Sequence, residues 1–201
     1  MRNAEATKER ILDAALAEFS SHGIAGARVD RIAQSAKCNK NLIYIYFDDK
    51  ETLFGTVVGM HLVRVHEEIP FTPDDLPGYA AKVFDFAITN PDLMRLLAWS
   101  TLENTKGSPE RIAALDAKVA ALTEAQKAGH VGAAFPPDFL LVAVLSLATA
   151  WAVASPYGPS VKGKVKGAQH TAALRHSVTE AVRLLADRGA EPRTTGKSKS
   201  R

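Results

Sequence analysis

At 201 residues, with 46% of them apolar, the chain carries enough apolar material for one sizeable helical core and a smaller one, which excludes wholesale disorder. Its one cysteine excludes an internal disulfide and a cysteine-rich metal centre, and no charged-then-apolar leader precedes the first helical pattern, so a cytoplasmic protein is expected. The formal net charge of +3 is only weakly basic, and residues 1–50 set Arg2, Lys8, Arg10, Arg28, Arg31, Lys37, Lys40 and Lys50 against Glu5, Glu9, Asp13, Glu18, Asp30, Asp48 and Asp49; any affinity for nucleic acid must come from where cations sit, not from a uniform field.

Apolar residues recur at helical spacing almost throughout, and no alternating run bounded by hairpin turns appears, so the chain is expected to be all-α. A first helix over about 4–22 places Ile11, Ala15 and Phe19 on one face and stops at Gly23. Val29 to Ala36 forms a short second helix with Val29, Ile32, Ala33 and Ala36 on one side, and Asn39 caps a third through its side-chain oxygen. These two short helices, joined by a tight turn, read as a helix-turn-helix whose outer face presents Lys40, Asn41, Tyr44 and Tyr46. Amide, ammonium and phenol groups of this kind meet phosphates and base edges in a major groove, so double-stranded DNA is the expected partner.

Asp48 and Asp49 open a fourth helix, in which Leu53, Val57 and Met60 face one way and Phe54, Val58 and Val65 face nearby. Pro70, Pro73 and Pro77 then predict a connector over 67–76. Beyond it come a helix with the stripe Tyr79, Val83 and Phe86, ending near Asn90; one from Pro91 through Leu93, Leu96, Leu97 and Trp99; and one started by Ser108-Pro109 with Ile112, Leu115, Val119 and Leu122. The apolar run 139–154 is shorter than the roughly 20 residues a membrane-spanning helix needs and is expected to be buried. A loop over 156–167 and a last amphipathic helix with Leu174, Val178 and Leu185 follow. Two blocks are strongly basic, Lys162 to Lys166 and Arg193 to Arg201, and from Gly189 the chain has almost nothing to bury, so a disordered basic tail is expected over 189–201.

Rival chemistry finds little support. Cys38 takes an apolar turn position, the six histidines lack a metal-ligand spacing, and no nucleophile turn, phosphate loop or catalytic carboxylate pair is present; neither an enzyme nor a cofactor or metal is expected. Trp99, Phe86, Met94 and Tyr79 read either as the lining of a small-molecule cavity or as plain core.

Residues from about Thr7 to Phe54 resemble the amino-terminal domain of TetR-family transcriptional regulators. The resemblance is carried by Lys8-Glu9-Arg10-Ile11-Leu12-Asp13-Ala14-Ala15, Phe19, Gly23, Val29-Asp30-Arg31-Ile32-Ala33, Asn39 to Phe47, and Lys50-Glu51-Thr52-Leu53. The sequence departs from the family at Arg28, where a hydroxyl N-cap is usual, at Lys37, where glycine is usual, and at Leu42, where a small polar residue often sits.

The resemblance implies a helix-turn-helix domain over 1–48 and a larger helical ligand-binding and dimerisation domain over 49–188, with 49–66 connecting them. It also implies a ligand-responsive regulator, most simply a repressor, that binds a palindromic operator as a homodimer and is released by a small molecule. Arg28, Asn39, Lys40, Asn41, Leu42, Tyr44, Tyr46 and Lys50 are the candidate DNA-binding residues, with Lys40 and Asn41 reading bases and Arg28, Tyr44, Tyr46 and Lys50 holding phosphates. Tyr79, Phe86, Met94 and Trp99 are the candidate ligand-binding residues. Leu140, Val144, Leu147, Trp151, Leu174, Val178 and Leu185 are the candidate subunit interface, because a helix apolar all round needs partners on several sides and the family implies a four-helix seam. The alternatives are a small helical enzyme or carrier with an incidental helix-turn-helix, and a DNA-binding protein without an effector.

Overall fold

The computed structural model describes residues 2–103, 109–160, 167–187 and 189. The basic stretches at 162–166 and 193–201 and the cap expected at Ser108 lie outside them. Among the described residues the fold is all-α, with no strand. The helices are α1 (Arg2–Gly26), α2 (Val29–Ser35), α3 (Lys40–Phe47), α4 (Lys50–Glu68), α5 (Leu76–Thr89), α6 (Pro91–Leu102), α7 (Pro109–Lys127), α8 (Pro137–Thr149) and α9 (Ala168–Leu185).

Two apolar cores organise them. The first is built by α1 to α4, with Ile11, Phe19, Ile32, Ile43, Leu53 and Val57 almost fully enclosed and Phe19 meeting Phe54 edge to face at 5.1 Å between ring centres. It also takes in Leu93 and Leu96 of α6, so it is closed by a helix far along the chain. The second joins α5, α7, α8 and α9 around Phe84, Leu122, Leu140, Val144 and Val182. Val65 and Phe86 pack against both.

Several boundaries differ from the sequence expectation for physical reasons. The first helix does break at Gly23, whose backbone leaves helical geometry at φ 67°, but a further short segment continues to Gly26. Pro77 does not interrupt: α5 starts at Leu76 with Asp75 as its cap, accepting from the Gly78 amide at 2.9 Å, and proline is tolerated in a first turn where its missing N–H has no partner anyway. The expected stripe on α5 also lacked its centre, because Phe84 is fully enclosed while Val83 and Phe86 flank it. Met60, expected to face the core with Leu53 and Val57, is exposed. The apolar run over 139–154 is helical only to Thr149. The chain then turns, and Gly158 lies so close to the Ala150 carbonyl and Trp151 backbone that no side chain fits there.

Candidate nucleic-acid interface

The site begins with the turn between α2 and α3. Lys37 takes a left-handed conformation, φ 51°, at the position where a glycine adopts that geometry freely, and the Cys38 amide donates back to the Ala33 carbonyl at 3.0 Å. Cys38 is half-buried against the first core; burial pushes its thiol up, although Arg10 works the other way, which leaves it poorly suited to redox chemistry. Asn39 then caps α3, its Oδ1 accepting from the Asn41 amide at 2.9 Å. With Ile43 and Phe47 buried, the opposite face of α3 is fixed in space.

That outward face is not quite the one the sequence suggested. Asn41 and Tyr44 are exposed, Tyr44 by 42%, and on the other side of Asn41 lies Ile45 at 71% exposure. Positions 41 and 45 are one turn apart and share a face, whereas position 46 points well away from 41. Tyr46 is accordingly half-buried, packed against the first core and edge-on to Phe47, which corrects its placement on the outer face. Leu42, one turn before Tyr46, is half-buried at the same margin. Ile45 was missed because an apolar residue on an amphipathic helix is assigned to the core by default; its spacing from Asn41 was the available signal.

The cations are held by specific partners. Lys40 pairs with Asp30 across the two helices at 2.9 Å, and that hydrogen bond raises the ammonium above its ordinary value. Both side chains remain well exposed, so water screens the pair and a phosphate can displace the carboxylate. Lys50 Nζ donates to the Ala27 carbonyl at 3.3 Å, tying the start of α4 to the entry of α2, and keeps further N–H donors for another acceptor. Arg28 provides no side-chain cap for α2; its amide instead donates to Glu18 at 2.8 Å, and its side chain is exposed. Glu18 also takes the Arg31 guanidinium, which in turn reaches the Gly26 carbonyl. Burial acts to raise the Glu18 carboxyl, but the bonds from Arg31 and the Arg28 amide outweigh it and leave the group below its ordinary value.

Behind this face, α1 is fastened to α6. Gly23 opens the helix so that the Glu103 carboxylate accepts from the Ile24 amide at 2.9 Å and the Ala25 amide at 3.3 Å, while Trp99 Nε1 donates to the Ser20 carbonyl at 3.2 Å. Trp99 therefore belongs to the junction of α6 with α1, a role invisible in a local reading. The other three candidate ligand residues lie apart. Tyr79 is buried with its hydroxyl on Lys118, Phe86 lines a small cavity with His61 and Asn90, and Met94 is half-buried on α6.

The candidate interface residues are mostly internal. Leu140, Val144 and Val178 are enclosed within the chain's own second core, and Leu147, Trp151, Leu174 and Leu185 pack against it. Because α8 meets α5, α7 and α9 within one chain, its apolar surroundings are largely satisfied without a second subunit. The large apolar residues left exposed in this region are Phe139 and Val142 on α8, Val153 and Tyr157 after it, and Leu184 on α9. Among the described residues no cluster suited to a metal ion occurs, and no helix is long and apolar enough to cross a membrane.

Residues 11–57 match the family model of bacterial regulatory proteins of the tetR family, and residues 75–183 match that of the tetracyclin repressor-like C-terminal domain. The chain is 39% identical over 191 residues to the HTH-type transcriptional repressor SCO4008 of Streptomyces coelicolor, spanning 93% of this chain and 98% of that one. It is 29% identical over 109 residues to the HTH-type transcriptional repressor NicS of Pseudomonas putida, covering 50% of this chain and 51% of the relative. Among solved structures, Streptomyces coelicolor SCO4942 superposes with a TM-score of 0.76 at 35% identity, over 90% of this chain and 99% of that one. A TetR-like transcriptional regulator from Rhodococcus sp. RHA1 gives 0.65 at 18% identity over 90% and 96%, a likeness of fold alone.

Proposed function

The chain belongs to the TetR family of bacterial regulatory proteins, and on that premise we propose that it is a cytoplasmic homodimeric repressor that grips a palindromic operator and lets go when a small molecule binds its larger helical half. It acts by binding alone, without turnover. The observation that carries the reading is the outward face of α3, where Asn41, Tyr44 and Ile45 stand clear of the core on a helix anchored by Ile43 and Phe47. Asn41 is the base reader, its side-chain amide able to accept from adenine N6 and donate to N7, and Ile45 meets a thymine methyl. Tyr44, Lys50 and Arg28 hold phosphates, with Lys40 joining them once it exchanges Asp30 for the DNA. Asn39 and Leu42 set the pitch of the helix in the groove, and Tyr46 reaches the backbone from the margin.

Residues 1–48 serve as the reading head and 49–188 as the sensing and pairing body. Two copies meet through Phe139, Val142, Val153 and Leu184, apolar residues that α8, its following turn and α9 leave exposed. Effector binding shifts α4 and α6, both of which pack on α1, and so alters the separation of two reading helices that must match a groove repeat of about 34 Å. The ligand moves this equilibrium only by preferring one arrangement.

Selection of bound sites from random duplex DNA tests the reading. A two-fold symmetric motif is expected for the full chain, with Asn41→Ala and Ile45→Ala relaxing preference at defined positions. Tyr44→Phe is expected to lower affinity for all duplexes alike. Recovery of no enriched motif would overturn the proposal.

A further inference from the structure

A long cleft separates α4 from α7, and its chemistry goes beyond what regulation in general requires. Its volume is about 610 Å³, the size of a small-molecule site. Gly55, Gly59, Leu62 and Val63 form the α4 wall, and Ala114 and Leu115 the α7 wall. Gly55 and Gly59 lie one turn apart, and a methyl group added at either meets nothing within 4 Å. Each interior glycine costs a helix about 1 kcal/mol relative to alanine. Among the described residues no close packing accounts for them; what they leave is open space lined by apolar side chains, with Val63 60% exposed and Leu115 37%.

The second observation is Lys118. Its ammonium sits 5.8 Å from the ring centre of Phe71 and 5.5 Å from that of Tyr79, and donates to the Tyr79 hydroxyl at 3.0 Å. The two rings pack edge to face, 4.9 Å apart, so the cation is steadied on an aromatic corner. Its side chain is half-buried, and among the described residues no carboxylate comes within ion-pairing distance of it. One neutral hydroxyl occupies one of three N–H donors, leaving a partly desolvated charge that an anion would complete. Arg111, two turns away on the same wall, adds positive charge, while Glu67 at the α4 rim repels a second anionic group.

We propose that this cleft binds an elongated apolar molecule bearing a single anionic group, with the apolar body over Gly55 and Gly59 and the anion on Lys118. The assignment deepens the effector reading and rests on it for its regulatory meaning, but binding itself can be tested without DNA. Fluorescence titration of the full chain with 8-anilinonaphthalene-1-sulfonate and with its neutral counterpart N-phenyl-1-naphthylamine compares the same apolar body with and without the charge. The anionic probe is expected to bind about tenfold more tightly, a difference of about 1.4 kcal/mol. Lys118→Gln should erase that preference and Lys118→Arg retain it. Gly59→Leu, whose Cβ meets nothing within 4 Å and whose longer side chain enters the cleft, should weaken both probes about tenfold at unchanged or higher thermal stability.

Equal affinity for the two probes, or an anionic preference that survives Lys118→Gln, would overturn the inference. So would unchanged binding in Gly59→Leu, or a change in that variant's sedimentation in place of its probe affinity, which would make the cleft a contact between copies. If the probe binds as described yet leaves DNA affinity unaltered, the site stands and the effector reading falls; loss of the site with DNA binding intact is the reverse outcome.

Discussion

Replacing Gly23 with alanine should cost the protein a large part of its stability. At φ 67°, ψ −177° the backbone occupies a region open essentially to glycine alone, and forcing another residue into it costs about 1 to 3 kcal/mol. The new Cβ would also collide with the Glu103 carboxylate and come within 2.8 Å of the Trp99 ring. Moving Glu103 aside breaks its bonds to the Ile24 and Ala25 amides, which at this half-buried place are together worth about 2 kcal/mol. The sum, about 3 to 5 kcal/mol, is a large share of the 5 to 15 kcal/mol that a domain usually has. Urea unfolding followed by circular dichroism and by tryptophan fluorescence measures it. In a Glu103→Ala background the same substitution should cost less, because the Glu103 collision and the cap are already gone and only the backbone share and the close approach to Trp99 remain. A loss below about 1 kcal/mol for Gly23→Ala, or strict additivity of the two substitutions, would refute the reasoning.

Lys37→Gly should raise stability by about 0.5 to 1 kcal/mol, since it relieves a left-handed lysine at φ 51°; equal or lower stability in denaturant titration would count against that account. His61 has a buried Nε2 without a partner among the described residues, and burial, with Arg64 adding and Asp13 opposing, holds the ring below its ordinary value of 6.5. The unfolded chain then binds the proton more readily, so stability is complete above about pH 6.5 and falls as the pH drops through the lowered folded value. Melting temperatures at pH 7.5 and 5.5 should therefore differ more for the parent than for His61→Gln; equal differences would discount the histidine. Val142→Asp should leave the fold intact and weaken self-association by about 3 kcal/mol, roughly a hundredfold, whereas Leu147→Asp should compromise the fold itself, because Leu147 packs on its own chain's core. Sedimentation showing an undisturbed dimer for Val142→Asp would move the interface elsewhere.

What the sequence disclosed, and what it withheld, follows from the range of the forces involved. Caps, turns and helical stripes act over a few residues, so the all-α class, the Asn39 cap and the start of α4 at Asp49 were legible directly. The oddity of Lys37 was visible as a departure from glycine, and its backbone conformation supplies the reason. Helix phase was harder. On α3, Tyr46 was placed on the outer face and Ile45 was given no role, whereas burial of Ile43 and Phe47 turns Ile45 outward. On α8 nearly every position is apolar, so periodicity gives no phase, and Leu140 and Val144, expected at a subunit seam, are enclosed within the chain's own second core. The fastening of Gly23 to Trp99 and Glu103 joins positions nearly eighty residues apart, and no local pattern encodes such a meeting.

The first core's dependence on Leu93 and Leu96, and α1's fastening to Glu103, bear on how such proteins are recombined. A graft that joins this reading head to a foreign body at residue 49 would arrive with α1 uncovered along the strip α6 normally shields, and with the Ile24 and Ala25 amides lacking their acceptor. The seam between interchangeable parts therefore does not run through one peptide bond. A working hybrid must carry the matching surface of α6 along with the first fifty residues, so head and body are inherited as a fitted pair even though the chain between them looks like a simple hinge.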